Sequence, residues 1–334
     1  MAFQDDQRET ELFEEIERKW GRKIQGAFGQ SVEELREQFT IEELATQLEQ
    51  RGINVIGTLI SAEVVRQGMT RVGEEVGEAI TDAAKQRIEA INGQVRGPRG
   101  TVRFTFDAGN ASVAERVRQN RLRLIREISD EQEQVIRNAV ADSLARGDNP
   151  RNAARAFRDS IGLTQRQERA VQNFRRALQE SPGQALSRQL RDRRFDSTLR
   201  GAAQQGNELT QEQVERMTER YRAKTLKHRS EVIARTESLR ALSEGKEAAR
   251  EQLIESGQIR ADQVRRKWVT ASDARVRENH SLIPGMNPEG VGPNEPFQAP
   301  LGPLRYPRDP QGLPEQTIQC RCAEVERITD VEEA

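Results

Sequence analysis

Apolar residues recurring every three or four positions, fenced by helix start and stop signals, run through most of this chain and commit it to helices. From Met69 the positions Val72, Val76, Ile80, Ala84, Ile88 and Ile91 form one stripe. Such a stripe either packs inside the subunit or serves as a seam for self-association over residues 69–91. Gly73 and Gly77 have the spacing of a membrane dimer face, but Glu74, Glu75 and Glu78 around them argue against lipid. Ser31 with Glu34, and Thr40 with Glu43, read as capping boxes, and Gly52 sits where a helix stops. Ser129 with Gln132, Asn149-Pro150, and Thr164 with Gln167 predict three further helix starts. Thr210 with Gln213 predicts a long helical region ending at Gly257, with an interruption between 224 and 230. Short connections between such helices imply an antiparallel bundle.

Composition fits that reading. Of 334 residues, 34% are hydrophobic, 32% charged and only 4% aromatic, so small aliphatic side chains must fill narrow seams beneath much solvated surface. No run approaches the ~18 apolar residues of a membrane span, and the acidic start Met1 to Asp6 lacks signal-peptide features. The two cysteines, Cys320 and Cys322, are one residue apart. A mutual disulfide would be badly strained, which points to a reducing cytoplasm. Net charge is −1, but residues 1–100 carry about −6 and residues 111–200 about +7. The basic middle includes Arg188, Arg191, Arg193, Arg194 and Arg200, in a connector punctuated by Pro and Gly from Ser181 to Gly206. They are candidates for contact with DNA or an acidic protein surface, against the plainer reading of a solvated face.

Asn92-Gly93 and Gly97 to Gly100 mark a turn-rich break, and the alternation from Val102 to Phe106 predicts a short strand. After Asp262 the character changes: Pro and Gly crowd residues 284–314, with β-type segments at 266–270 and 317–325. The expected fold is mainly α, an elongated helical bundle through the N-terminal and central regions with a small α+β C-terminal module. Expected domains are an N-terminal arm over 1–97, a central bundle over 98–206 and a C-terminal domain over 207–334.

The C-terminal domain carries the most specific pattern. It holds Ala234-Arg235-Thr236-Glu237 on a helix, then Trp268-Val269-Thr270, Asp273, Arg275, Arg277 and His280. Tyr306-Pro307-Arg308-Asp309-Pro310 and Cys320-Arg321-Cys322 follow. This order of blocks resembles the head-morphogenesis domain of the Mu F-like minor head proteins of tailed phages. The clear resemblance covers about residues 230–325; residues 110–180 resemble the family's amino-terminal portion more loosely, and residues 1–100 match nothing recognised. Arg308 departs from the pattern, standing where relatives often carry a small residue such as glycine, and this bears on local loop geometry. The resemblance implies a structural protein, not an enzyme, found in the virion inside the capsid near the portal. It would be made in the host cytoplasm and work with portal, major capsid and scaffold proteins, in contact with packaged double-stranded DNA. Of Arg235 and Glu237, two apart on a helix, one is expected to pair into the C-terminal module with Asp273 or Arg275 while the other meets solvent.

The same residues have a chemistry of their own. On a strand, Ile318, Cys320 and Cys322 would share one face. Two thiols with His280 give three donors suited to zinc, and Asp273 is a candidate fourth ligand. The plainer alternative is that both cysteines are small buried hydrophobes and His280 pins a loop through a backbone carbonyl. A catalytic Cys–His pair is a further alternative, but no oxyanion-hole or orienting motif stands beside it. Two other functions compete with the head-protein reading. One is an enzyme of toxin or transferase type delivered with the phage, although only twelve residues follow Cys322. The other is a zinc-containing DNA-binding regulator, weakened by the near-neutral charge.

Overall fold

The computed structural model describes residues 6–92, 96–97, 100–101, 103–271 and 273–328. The elements in chain order are α1 (Asp6–Glu37), α2 (Ile41–Arg51), α3 (Ala62–Gly68), α4 (Thr70–Ile91), β1 (Arg96–Gly97), β2 (Gly100–Thr101), α5 (Ala111–Ser129), α6 (Gln132–Ala145), α7 (Pro150–Ser160), α8 (Gln165–Glu180), α9 (Asp196–Gln205), α10 (Gln211–Glu255), β3 (Val264–Val269) and β4 (Ala323–Ile328). The chain is mainly α with a small α+β part near the C-terminus, as the periodicity implies. It divides into two compact units that interleave in sequence: residues 1–26, 72–123 and 232–334 form one, residues 27–71 and 124–231 the other.

Several caps are those the sequence specifies. Thr40 accepts from Glu43 N, Asn149 accepts from Asn152 N ahead of Pro150, and Thr164 with Gln167 forms a full capping box. Thr210 and Gln213 bond reciprocally at the start of α10. Gly52, Gly147, Gly206 and Gly257 follow helix ends with positive φ, which a side chain disfavours. Two expected caps are not caps. Ser31 lies inside the 32-residue α1, its hydroxyl buried without a partner. Ser129 closes α5 by bonding back to Ile125 O, and Gln132 is buried, donating to Ser160 O and accepting from Gly162 N. A buried amide that joins two helices won over a local box.

The interruption expected at 224–230 is also absent: α10 runs unbroken for 45 residues. No proline enters it, and Thr218, Thr225 and Ser230 return their hydroxyls to carbonyls of their own helix, Val214, Tyr221 and Lys227. The strand expected over 102–106 is replaced by a β1–β2 ladder pairing Arg96 with Thr101 and Gly97 with Gly100. Phe104 sits outside any strand, its backbone held on both sides by the Asn92 carboxamide. Met1 to Asp5, Gly93, Pro98, Arg99 and Val102, named or spanned in the sequence analysis, lie outside the described residues.

In the first unit, the α4 stripe faces its own subunit. Val72, Val76, Ile80, Ala84, Ile88 and Ile91 are all buried, and Ala84, Ile88 and Ile91 pack with Phe104, Ala249, Leu253, Ile259 and Val264. Gly245 makes the crossing possible, since a Cβ there would stand 2.6 Å from Ala83 Cβ and from Ile80 O. The stripe is therefore not a free seam for self-association, which corrects that alternative. The second unit has a separate core of Leu163, Val171, Phe174, Leu178, Leu199, Val214, Met217 and Tyr221, with Phe174 stacked on Tyr221 at 4.2 Å.

Candidate metal centre

β3 and β4 form an antiparallel pair in which Trp268 stands opposite Glu324 and Val264 opposite Ile328. Period-two alternation turns Val264, Arg266 and Trp268 inward. Trp268 then packs edge-on against Phe297 and His280, with ring centroids 5.4 and 5.7 Å away. Ile283, Val291, Leu304, Cys320 and Cys322 complete this small core. The segment that carries the thiols is not the strand the sequence predicted: 314–317 is a helical turn, Gln319 takes φ 54°, and β4 begins only at Ala323. Ile318 is 43% exposed while both cysteines are buried, so the three do not share a face.

The thiols and the imidazole meet nonetheless. Cys320 Sγ and Cys322 Sγ each lie 3.5 Å from His280 Nδ1, and the three donor atoms all fall within 4.8 Å of one another. The neighbouring Cys322 thiol draws the Cys320 pKa well below its usual value against the effect of burial, with His280 and Arg308 adding to the fall. The same contact, with burial, pushes Cys322 upward. His280 Nε2 is buried without a hydrogen-bond partner, so packing against Trp268 orients the ring.

The donor set fits a metal ion on geometric grounds. Tetrahedral bonds of about 2.3 Å to sulfur and about 2.0–2.1 Å to nitrogen place S and N about 3.5–3.6 Å apart, the separation found here twice. Two soft sulfurs with one imidazole are a zinc-type set. Asp273 is not part of it. Its exposed carboxylate pairs with Arg321 and Arg275 and accepts from Arg275 N, which holds it below the usual carboxylate range. Asp273 acts here as a brace on Arg321.

Each motif block has a mechanical part in this closure. Asp273 grips Arg321, the residue between the two cysteines, and Arg277 donates to Ile318 O. Thr236 on α10 accepts from Gln319 N. Tyr306 donates its hydroxyl to Glu244 at 2.5 Å, and Ser243 donates to Pro307 O. Asp309 accepts from Arg305 N and Gln311 N and pairs with the Arg305 guanidinium, closing the loop on itself. Arg235 and Glu237 do not pair with Asp273 or Arg275. Arg235 meets Glu17, and Glu237 is buried between Arg240 and Arg123.

Sequence reasoning missed a set of buried charges. Arg250 pairs with Glu247, Glu324 and Glu326, Arg87 with Glu326, and Lys246 donates to Glu324 O. Arg266 holds Glu324 and the carbonyls of Gly292, Glu295 and Arg305, stitching the long loop to β4. The one available signal was alternation, which puts Arg266 on the same strand face as Trp268. Arg308, read only as a loop departure, is the other omission: it is 1% exposed with φ 69°.

The basic connector is largely neutralised within itself. Arg191 and Arg200 pair with Asp196, and Arg194 with Asp192, while Arg188 and Arg193 are exposed with no ion pair among the described residues.

A small α+β module pinned to a long helix and closed around two thiols and an imidazole is thus the architectural class of the C-terminal region. Residues 194–325, which include every motif block and all of the module except the last residues of β4, match the family model described as Phage Mu protein F like protein, in line with those blocks. Comparison with curated proteins and comparison with solved structures each find no match. The family match supports a phage head-morphogenesis protein, and no helix among the described residues is long and apolar enough to cross a membrane.

Proposed function

We propose that this chain is a minor head protein of a tailed bacteriophage, a structural component inside the capsid near the portal that acts during head assembly. The observation that carries this reading is the family match over residues 194–325, whose motif blocks meet in one closed module. A centre buried on all three donors presents no surface to a substrate, which favours assembly over catalysis. The portal and the major capsid or scaffold proteins are the partners the reading requires. The test is incorporation: the chain is expected in purified heads, and a variant lacking residues 230–334 is expected to be missing from them. Normal incorporation of the truncated chain would contradict the assignment.

Two finer parts belong to the same proposal. Zinc occupies the His280, Cys320 and Cys322 group, for which the two 3.5 Å S···N separations are the support. Purified protein should then carry one zinc per chain, lost in Cys320→Ser and Cys322→Ser. The exposed Arg188 and Arg193 face packaged DNA, and binding through them must weaken with added salt, because salt reduces the gain from releasing counterions condensed on the DNA.

A further inference from the structure

We propose that Arg308 is the positioning residue that sets the Cys320–Cys322 arm for metal uptake; this rests on the zinc reading above. Its backbone lies in the left-handed region at φ 69°, where glycine is at ease and a residue with a side chain is strained. Such a conformation persists only where the surroundings over-determine it. Here the side chain does so. The guanidinium is buried and every nitrogen is used: Nη1 donates to Cys320 O at 3.2 Å and Cys322 O at 2.6 Å, Nε to Leu239 O at 3.0 Å, and Nη2 to Ser243 Oγ at 3.1 Å. The Arg308 carbonyl in turn accepts from Arg240 Nε.

The fork therefore grips the main chain on both sides of Arg321 and ties it to α10. With the two carbonyls fixed, the two sulfurs are fixed relative to His280 before any ion arrives. The guanidinium also places a positive charge beside two sulfurs that must both be thiolates when a metal is bound. Ordinary packing would need neither the strained backbone nor two bonds to the carbonyls of the ligand residues themselves. Outer groups of this kind act on metal affinity through the ligands they orient.

Arg308→Gly separates the two roles of the residue, because glycine suits the backbone while the fork is lost. Zinc affinity, read by chelator competition, should fall about 10–100-fold. The cobalt-loaded protein should lose intensity in its thiolate charge-transfer and tetrahedral bands. Ser243→Ala, which removes one of the four acceptors, should give a smaller loss in the same direction and guards against misfolding of the glycine variant. Wild-type zinc affinity and an unchanged cobalt spectrum in a folded Arg308→Gly protein would overturn the role of Arg308 while leaving the zinc site standing. If Arg308→Gly does not fold, unchanged affinity in Ser243→Ala overturns it instead. Absence of zinc from the wild-type protein would overturn the zinc reading, and this inference with it.

Discussion

The two units of this protein both have apolar cores, but they differ in how much charge they bury. The unit that contains residues 124–231 has an apolar core around Phe174, Leu178 and Tyr221, with arginines such as Arg194 and Arg200 at its surface. The unit that contains residues 232–334 buries charge. Along the second half of α10, Glu237, Arg240, Glu244, Lys246, Glu247 and Arg250 are all buried; Arg240 and Glu244 meet the Tyr306–Arg308 loop, Lys246 and Arg250 meet strand β4, and Glu237 and Glu247 pair with arginines of the same unit. Buried ion pairs rarely add net stability, since desolvation offsets attraction. What they supply is geometry: a charge can be buried only where its partners stand. The difference is one of balance: the module adds a network of matched buried charges to its apolar core, while the other unit, with fewer buried charges such as Glu168 and Arg229, relies more on volume and helix caps.

The largest break in this contrast is expected at Arg250. Arg250→Met would leave buried Glu247 without its ion pair and take one of the guanidinium partners from Glu324 and Glu326, which keep Arg266 and Arg87, and should cost about 3–5 kcal/mol in chemical denaturation. A cost below about 1 kcal/mol would place these charges with exposed pairs and remove the contrast.

Much of the second unit was legible in the sequence, because its determinants are local. Asn149-Pro150 and the Thr164/Gln167 box each act within four residues, and the apolar spacing of α8 needs no partner to be read. The module around the thiols was legible as a motif but not as a mechanism. Convergence of His280 with Cys320 and Cys322 was expected, and the structure brings them together. The strand placement of those cysteines was not recovered, because period-two alternation carries no information about Gln319 at φ 54°. Nor could spacing reveal that Asp273 is already engaged by Arg321. Buried Arg266, Arg308 and Glu326 read as surface residues in any local window. Only the long-range partners, Glu324, Ser243 and Arg87, make their burial possible.

A smaller effect belongs to the caps. Thr164→Ala removes the capping box of α8 and should lower stability by about 1 kcal/mol, within a range of about 0.5–2. At the exposed end of the scale, Arg200→Ala, which breaks a 3.6 Å surface pair with Asp196, should leave the denaturation midpoint unchanged. A clear loss there would show that surface pairing contributes to this unit as well.

Acid separates the two units most directly. Burial raises the Glu237 carboxyl, but Arg240 and Arg123 outweigh it and hold the pKa below the usual range; Arg250 and Arg87 do the same for Glu326. A depressed folded-state pKa contributes stability that is present above the unfolded value of about 4.3 and is lost as pH falls through the folded one. Glu247 runs the other way, its pKa raised by burial, so its protonation comes first and relieves a cost. Hydrogen exchange of the amides in β3, β4 and α8, corrected for intrinsic rates and followed from neutral pH to about pH 3, is the decisive measurement. Protection in β3 and β4 should collapse below about pH 4 while α8 remains protected. Loss of α8 first, or of all three together, would contradict the claim that buried charge, in addition to apolar packing, holds the Mu F-like module closed.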